Sequence, residues 1–143
     1  MPFASGKAEG FVIGEARGES ELYAGYLEGI AMVTAWSIEE AKAVGAECDG
    51  EYFLSGGGGQ GRTLGRLIAS ALTKKLLKTR EPEAAMGSAL LAAAWAWFRG
   101  RVSAAQEQMV RRDEWLEPIP EMIDPLRGKL EALKKECRQR EYL

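Results

Sequence analysis

The residues with the clearest chemical potential are small ones. Tyr52-Phe53-Leu54 is a short apolar run, followed by Ser55, four glycines from Gly56 to Gly59, and then Gln60-Gly61-Arg62. A helical pattern follows from about Thr63 to Lys74. A strand that enters a glycine turn and leaves as a helix brings backbone N–H groups up to a phosphate or nucleotide. Glycine lacks Cβ, so it takes positive φ and lets a ligand approach the main chain. The helix start adds unpaired N–H groups and a partial positive charge. A glycine run alone reads equally well as a plain turn. The strand before it and the amphipathic helix after it favour the ligand reading.

The specialised phosphate motifs do not fit. No lysine followed by Ser or Thr closes the turn, so it is not a P-loop of the GxxxxGK[ST] kind. Gly56, Gly58 and Gly61 satisfy GxGxxG. The acidic ribose ligand of a dinucleotide fold, about 20 residues on, would fall near Arg80-Glu81. Any glycine-rich run meets that pattern, so the match is weak.

Other chemistry is limited by what the chain lacks. It contains no histidine, which removes the commonest general base and the commonest neutral metal ligand. Catalysis would have to use carboxylates, Lys, Tyr, Ser or a bound metal. The candidate carboxylates Asp49, Asp113 and Asp124 read as turn or cap residues, so no catalytic residue and no protein metal site is assigned. The two cysteines, Cys48 and Cys137, are far apart and read as reduced thiols, which suits a cytoplasmic location. A net charge of −2 gives no electrostatic case for nucleic acid. Met1 to Gly10 is polar and has no apolar core of the secretory-signal kind.

These residues must be positioned by one domain of 143 residues, 46% hydrophobic and 28% charged, which is ordinary for a globular protein. Phe11-Val12-Ile13 reads as a strand. Ser20 is an N-cap candidate for a long helix from Glu21 to about Ala43, with Leu22, Tyr26, Ile30 and Val33 at helical steps. Gly25 and Gly29 lie four apart within it and predict a close approach by a neighbouring element. Leu76-Leu77 is a short strand candidate. Glu83 to Phe98 is an alanine-rich helix; its window of about 15 apolar residues is too short to span a bilayer and reads as buried. Trp95, Trp97 and Phe98 read as core with one edge aromatic. Ser103 is an N-cap candidate for a helix through Val110; Trp115 to Pro125 reads as extended. Asp124 is placed as the cap of the last helix, with Pro125 in its first turn.

Strands alternating with helices predict an α/β fold with a small, mostly parallel sheet of about three strands. So small a sheet leaves free edges, to be completed by another chain, another copy or a missing lobe.

Three blocks then resemble the C-terminal lobe of the FGGY family of carbohydrate kinases, which includes xylulose, ribulose and glycerol kinases. Glu21 through Ala31, ending in Leu27-Glu28-Gly29-Ile30-Ala31, resembles the family's "LEGIA" helix. Tyr52 through Leu72 is similar to its strand, GGGA-type loop and adenosine-side helix. Glu83 through Ala92 resembles its "E…ALGAA" helix. Pro2 through Gly6 resembles the segment that opens this part of the lobe. The resemblance implies a partial actin-like, RNase H-like (ASKHA) lobe spanning residues 1–143, with the N-terminal lobe absent. It implies that Gly57, Gly58 and Gly59 lie against the adenosine and α-phosphate of ATP. Gln60 would flank that pocket and Arg62 would stand near the adenine. Mg²⁺ would arrive with ATP. Gly61, Leu64, Arg66 and Ser70 stand where members often have Ser or Asn, Trp, Gln and Asp. Family members carry the sugar site and catalytic aspartate in the other lobe, so this chain alone is not expected to phosphorylate a sugar or polyol. The alternatives are a non-catalytic binding or homo-oligomerisation module, or one half of a split kinase.

Overall fold

The structure, a computed structural model, describes residues 4–57, 61–80 and 84–143. The elements run α1 (Glu19–Ala43), β1 (Tyr52–Leu54), α2 (Arg62–Leu72), β2 (Leu76–Thr79), α3 (Ala84–Trp97), α4 (Val102–Met109), β3 (Arg112–Leu116) and α5 (Pro120–Gln139). The strands form a sheet in the order β1-β2-β3. β1 and β2 are parallel, with Tyr52 opposite Leu76 and Leu54 opposite Lys78. β2 and β3 are antiparallel, with Leu76 opposite Leu116, and the register shifts between Leu77 and Thr79. The sheet is therefore small and mixed. Among the described residues no strand pairs with the outer edge of β1.

The three-strand count agrees with the sequence, but the third strand is a different segment. Phe11-Val12-Ile13 forms no strand. Phe11 instead packs against the end of the chain, its ring 6.0 Å from that of Tyr142, with the Arg140 guanidinium carbon 4.4 Å from the Phe11 centroid. The third strand is Arg112–Leu116, whose charged residues hide the apolar alternation that usually marks a strand.

Side-chain alternation along the strands sends Leu54, Leu76 and Leu116 to one face. There they meet α1, α2 and α5. Ala31, Met32, Ala35 and Trp36 of α1, Leu67, Ile68 and Ala69 of α2, and Leu126, Leu130 and Cys137 of α5 complete this core. Leu77, on the other face of β2, is also buried.

Several caps differ from expectation. α1 begins at Gly18 and Glu19, before Ser20, and the Glu21 carboxylate accepts from the Arg17 backbone N–H at 2.7 Å. The backbone hydrogen bond, then the side-chain bond from the Arg17 guanidinium, hold the Glu21 carboxyl below the usual carboxylate range. α5 starts at Pro120, which needs no N–H at a helix start; Asp124 and Pro125 lie inside the helix, not at its cap.

The close approach expected at Gly25 and Gly29 is also elsewhere. A Cβ at either glycine would meet nothing within 4 Å. Both line an open groove with Phe11, Val12, Tyr26 and Ile30. The close contact is at Gly65 of α2. A Cβ there would overlap Leu116 Cδ1 and lie 2.8 Å from Leu54 Cδ2. Glycine lets α2 sit directly on the sheet.

Candidate functional site

The parallel pair and its connecting helix build the site. β1 ends at Leu54, and Thr79 at the end of β2 donates its hydroxyl to the Leu54 carbonyl at 3.4 Å. Gly56 has φ +87°, a backbone state that L side chains rarely adopt, so the turn out of β1 needs glycine at that point. A Cβ on Gly56 or Gly57 would meet nothing within 4 Å. The corner is thus open at its described residues. Gly58, Gly59 and Gln60 lie outside the described residues.

α2 resumes the chain at Arg62. Its N-cap is Gly61, no side chain caps it, and no acidic residue lies in the first turn. Among the described residues nothing caps this helix start, whose first N–H groups and partial positive charge lie at the end of a parallel strand, where α/β proteins commonly receive ligands.

Arg62 is held from the side. Its guanidinium is 3.3 Å from Glu114 of β3. Glu114 is also 3.5 Å from the Lys78 ammonium, which is 3.3 Å from Asp113. The Lys78 side chain is only 15% exposed, whereas Arg62 is 71% exposed. One turn along α2, the Arg66 Nε–H donates to the Glu117 carbonyl at 3.3 Å. A further turn on, Ser70 Oγ accepts from the Ile119 N–H at 2.8 Å and donates to the Arg66 carbonyl at 2.7 Å. Residues 62, 66 and 70 share one helix face at steps of four, and that face is fastened to residues 114–119. Arg66 and Ser70 are both engaged in this seam.

Of the five sequence candidates, the structure places Gly57 and Arg62 at the two described ends of the glycine turn. It adds Lys78, Asp113 and Glu114, which the sequence reading missed. Asp113 is a strand residue, not a turn. The adjacent acidic residues Asp113-Glu114 are visible in the sequence, but the pairing of β2 with β3 has to be known before they mean anything. The other carboxylates are engaged. Asp49 pairs with Lys42 at 3.1 Å, and that hydrogen bond, then the Lys42 charge, holds the Asp49 carboxyl low. Asp124 pairs with Arg127 at 3.2 Å. Among the described residues, no three His, Cys, Asp or Glu side chains form a metal-binding group.

No curated protein sequence matches the chain. Among solved structures, xylulose kinase from Rhodospirillum rubrum is similar, with 25% identity and a TM-score of 0.66 over 96% of this chain and 28% of that one. Gluconate kinase from Lactobacillus acidophilus has 19% identity and a TM-score of 0.71, over 93% of this chain and 27% of that one, a likeness of fold. The chain thus spans little more than a quarter of the length of either kinase. Its small mixed sheet and helices have the α/β, actin-like fold of these kinases. Residues 1–97 match the model of the FGGY family of carbohydrate kinases, C-terminal domain; β3 and α5 lie beyond that segment. With two thirds of its length matched, this chain belongs to the FGGY family of carbohydrate kinases, within the C-terminal domain.

Proposed function

We propose that this chain is the nucleotide-side part of an ATP-dependent carbohydrate kinase. The observation that carries this is the glycine corner between β1 and the start of α2, open at its described residues Gly56, Gly57 and Gly61, in a chain of this family. Gly57 and Arg62, with Gly58, Gly59 and Gln60 between them, would hold the adenosine and α-phosphate of ATP–Mg²⁺. ATP supplies the transferable phosphoryl group. This chain's residues bind and orient it through backbone N–H groups and the Arg62 guanidinium. Phosphoryl transfer needs a base near the acceptor hydroxyl and charge around the γ-phosphate. The paired carboxylates Asp49, Asp113 and Asp124 do not form such a base, so transfer to a sugar or polyol requires an N-terminal lobe, in the same polypeptide or as a separate partner.

Titration of the chain with ATP–Mg²⁺, followed by calorimetry and amide chemical shifts, tests the reading. Heat of binding with shifts at Gly57 and Gly61 is expected. Neither heat nor shifts at those glycines would remove the nucleotide assignment.

A second reading is an association module that keeps the fold without the ligand. It is favoured by large apolar side chains on the surface: Tyr23 is 64% exposed, Trp95 81% and Trp97 78%. Sedimentation discriminates, since a monomer at high concentration with intact ATP binding leaves only the kinase reading.

A further inference from the structure

We propose that Glu114 is a positioning residue for the nucleoside half of the nucleotide, acting through Arg62. The proposal rests on the reading above, in which Arg62 faces the adenosine. Glu114 lies outside the family-matched residues 1–97, in a strand held at the site by its pairing with β2 and its contact with α2.

The energetics separate this role from simple stabilisation. A half-exposed ion pair contributes about 0–1 kcal/mol to folding. α2 is already seated on the sheet at Gly65 and tied to the start of α5 by Ser70. The Arg62–Glu114 pair adds little to either attachment. Its effect falls on Arg62 itself. An arginine side chain carries about 2 kcal/mol of rotamer entropy, which a ligand must otherwise remove on binding. Tethering the guanidinium beforehand lowers that requirement.

The charge arrangement says which part of the ligand benefits. Lys78 lies between Asp113 and Glu114, and Arg62 shares Glu114 with it. Two cations and two carboxylates leave the cluster formally neutral. Arg62 held in it is poorly placed to act as a net positive clamp on phosphates. A tethered planar guanidinium is well placed to stack on or hydrogen-bond a purine. The geometry therefore assigns Glu114 and Arg62 to base recognition, and leaves the phosphate to the glycine turn and the start of α2.

The test is calorimetric titration of the whole chain with ATP–Mg²⁺ and, separately, with adenosine. Glu114→Gln, Glu114→Asp, Arg62→Ala and the Arg62→Ala/Glu114→Gln double variant are compared with wild type. Glu114→Gln is expected to weaken both ligands by the same factor, about three- to tenfold, with an unchanged melting temperature. Glu114→Asp should recover part of the loss. The double variant should bind no more weakly than Arg62→Ala, because both changes remove one device. Losses that add in the double variant, a loss confined to ATP, or tighter binding by Glu114→Gln would each overturn the role. Wild type that binds while Glu114→Gln binds equally overturns the role of Glu114 alone. Wild type that binds neither ligand overturns the nucleotide reading together with this one.

Discussion

α2 and α3 are both rich in apolar residues and of similar length, yet the structure treats them oppositely. α2 buries Leu67, Ile68, Ala69 and Ser70, and it packs on α1, α5 and the sheet. α3 packs chiefly on α4. Only Ala93 and Ala94 of its described side chains are buried, and Leu91, Trp95 and Trp97 are all more than half exposed. The difference lies in pattern, not in content. In α2 the apolar residues fall on one stripe and polar ones on the other, so the sequence itself says which way the helix faces. α3 reads AAMGSALLAAAWAW, apolar around its whole circumference. Such a helix is not directed toward any one neighbour. No described helix is long and apolar enough to cross a membrane.

The largest expected effect follows from that contrast. Leu116 is 1% exposed and lies against both α2 and β2. Leu116→Ala should destabilise the chain by about 2–5 kcal/mol, through lost burial and the cavity left behind. Leu91→Ala in α3 should change stability by less than about 0.5 kcal/mol. Urea unfolding of the two variants measures both. Equal losses would mean that α3 is as firmly integrated as α2.

The glycines sharpen the comparison by changing its sign. Gly65→Ala forces a methyl group onto Leu116 and Leu54. Overpacking of this kind costs about 1–3 kcal/mol, less the ~1 kcal/mol that alanine gains in helix propensity. A net loss near 1 kcal/mol is expected, with displaced Leu116 methyl resonances. Gly25→Ala and Gly29→Ala put the same group into open space in α1 and should stabilise it, by about 0.5–1 kcal/mol each. Stability changes of the same sign at Gly25 and Gly65 would contradict the packing.

These positions also show how far the residues alone lead. The strands at Tyr52–Leu54 and Leu76–Thr79, the turn at Gly56 and the register of helical stripes in α1, α2 and α5 were legible, because each depends on local periodicity or on one backbone requirement; the strand at Arg112–Leu116 was not, so the order of elements differs from the expected one. The family resemblance was legible in α1, from β1 through α2, and in the alanine-rich segment of α3. Phe11-Val12-Ile13 was misread because three apolar residues satisfy a strand and an aromatic anchor equally well. Only the arrival of Tyr142 and Arg140 decides between them. Gly25 and Gly29 were misread because an internal helix glycine signals closeness without saying whether a neighbour is there. At the site, the glycine turn was singled out by its strand–turn–helix context and Gly57 and Arg62 by the family resemblance, while the clustering of Lys78, Asp113 and Glu114 was not read. Their alignment is a property of strand pairing, which carries no mark in the chain.

Alkaline pH offers a smaller perturbation, confined to the region packed around α5. Cys137 is fully buried, and burial, then the nearby Glu136 charge, pushes its thiol up. An unfolded cysteine ionises near pH 8.5. Above that pH the unfolded chain releases a proton that the folded one retains, so stability falls as pH rises. Lys134 acts in the same direction at higher pH. Burial pulls its ammonium down, but hydrogen bonds to Glu39 at 2.6 Å and Glu131 at 2.9 Å more than offset this, and the net shift is upward. Its contribution is complete below the unfolded value of about 10.4 and is lost as pH passes through the raised folded value. Thermal melts should therefore decline from pH 8 upward. Cys137→Ala should flatten the first part of that decline and leave the later part, which belongs to the α1–α5 tie.

The smallest effect on stability is expected where the most apolar surface is involved. Trp95→Ser and Trp97→Ser remove two large rings from α3, yet each ring is more than three-quarters exposed. The Trp95 ring rests near Gly100, whose positive φ marks the turn into α4, and this is its only close glycine neighbour among the described residues. A ring that is in water in both states gains little on folding, so the double variant should unfold within about 0.5 kcal/mol of wild type. Its behaviour at high concentration is a separate matter. Rings this exposed on an apolar helix favour association wherever a complementary surface is offered. Sedimentation should show the double variant less associated than wild type, with ATP binding unaltered, because α3 packs chiefly on α4. A loss of stability comparable to that of Leu116→Ala would place the rings in a packed interior. It would also erase the distinction between a helix whose pattern selects its neighbours and one whose composition leaves its outer surface uncovered.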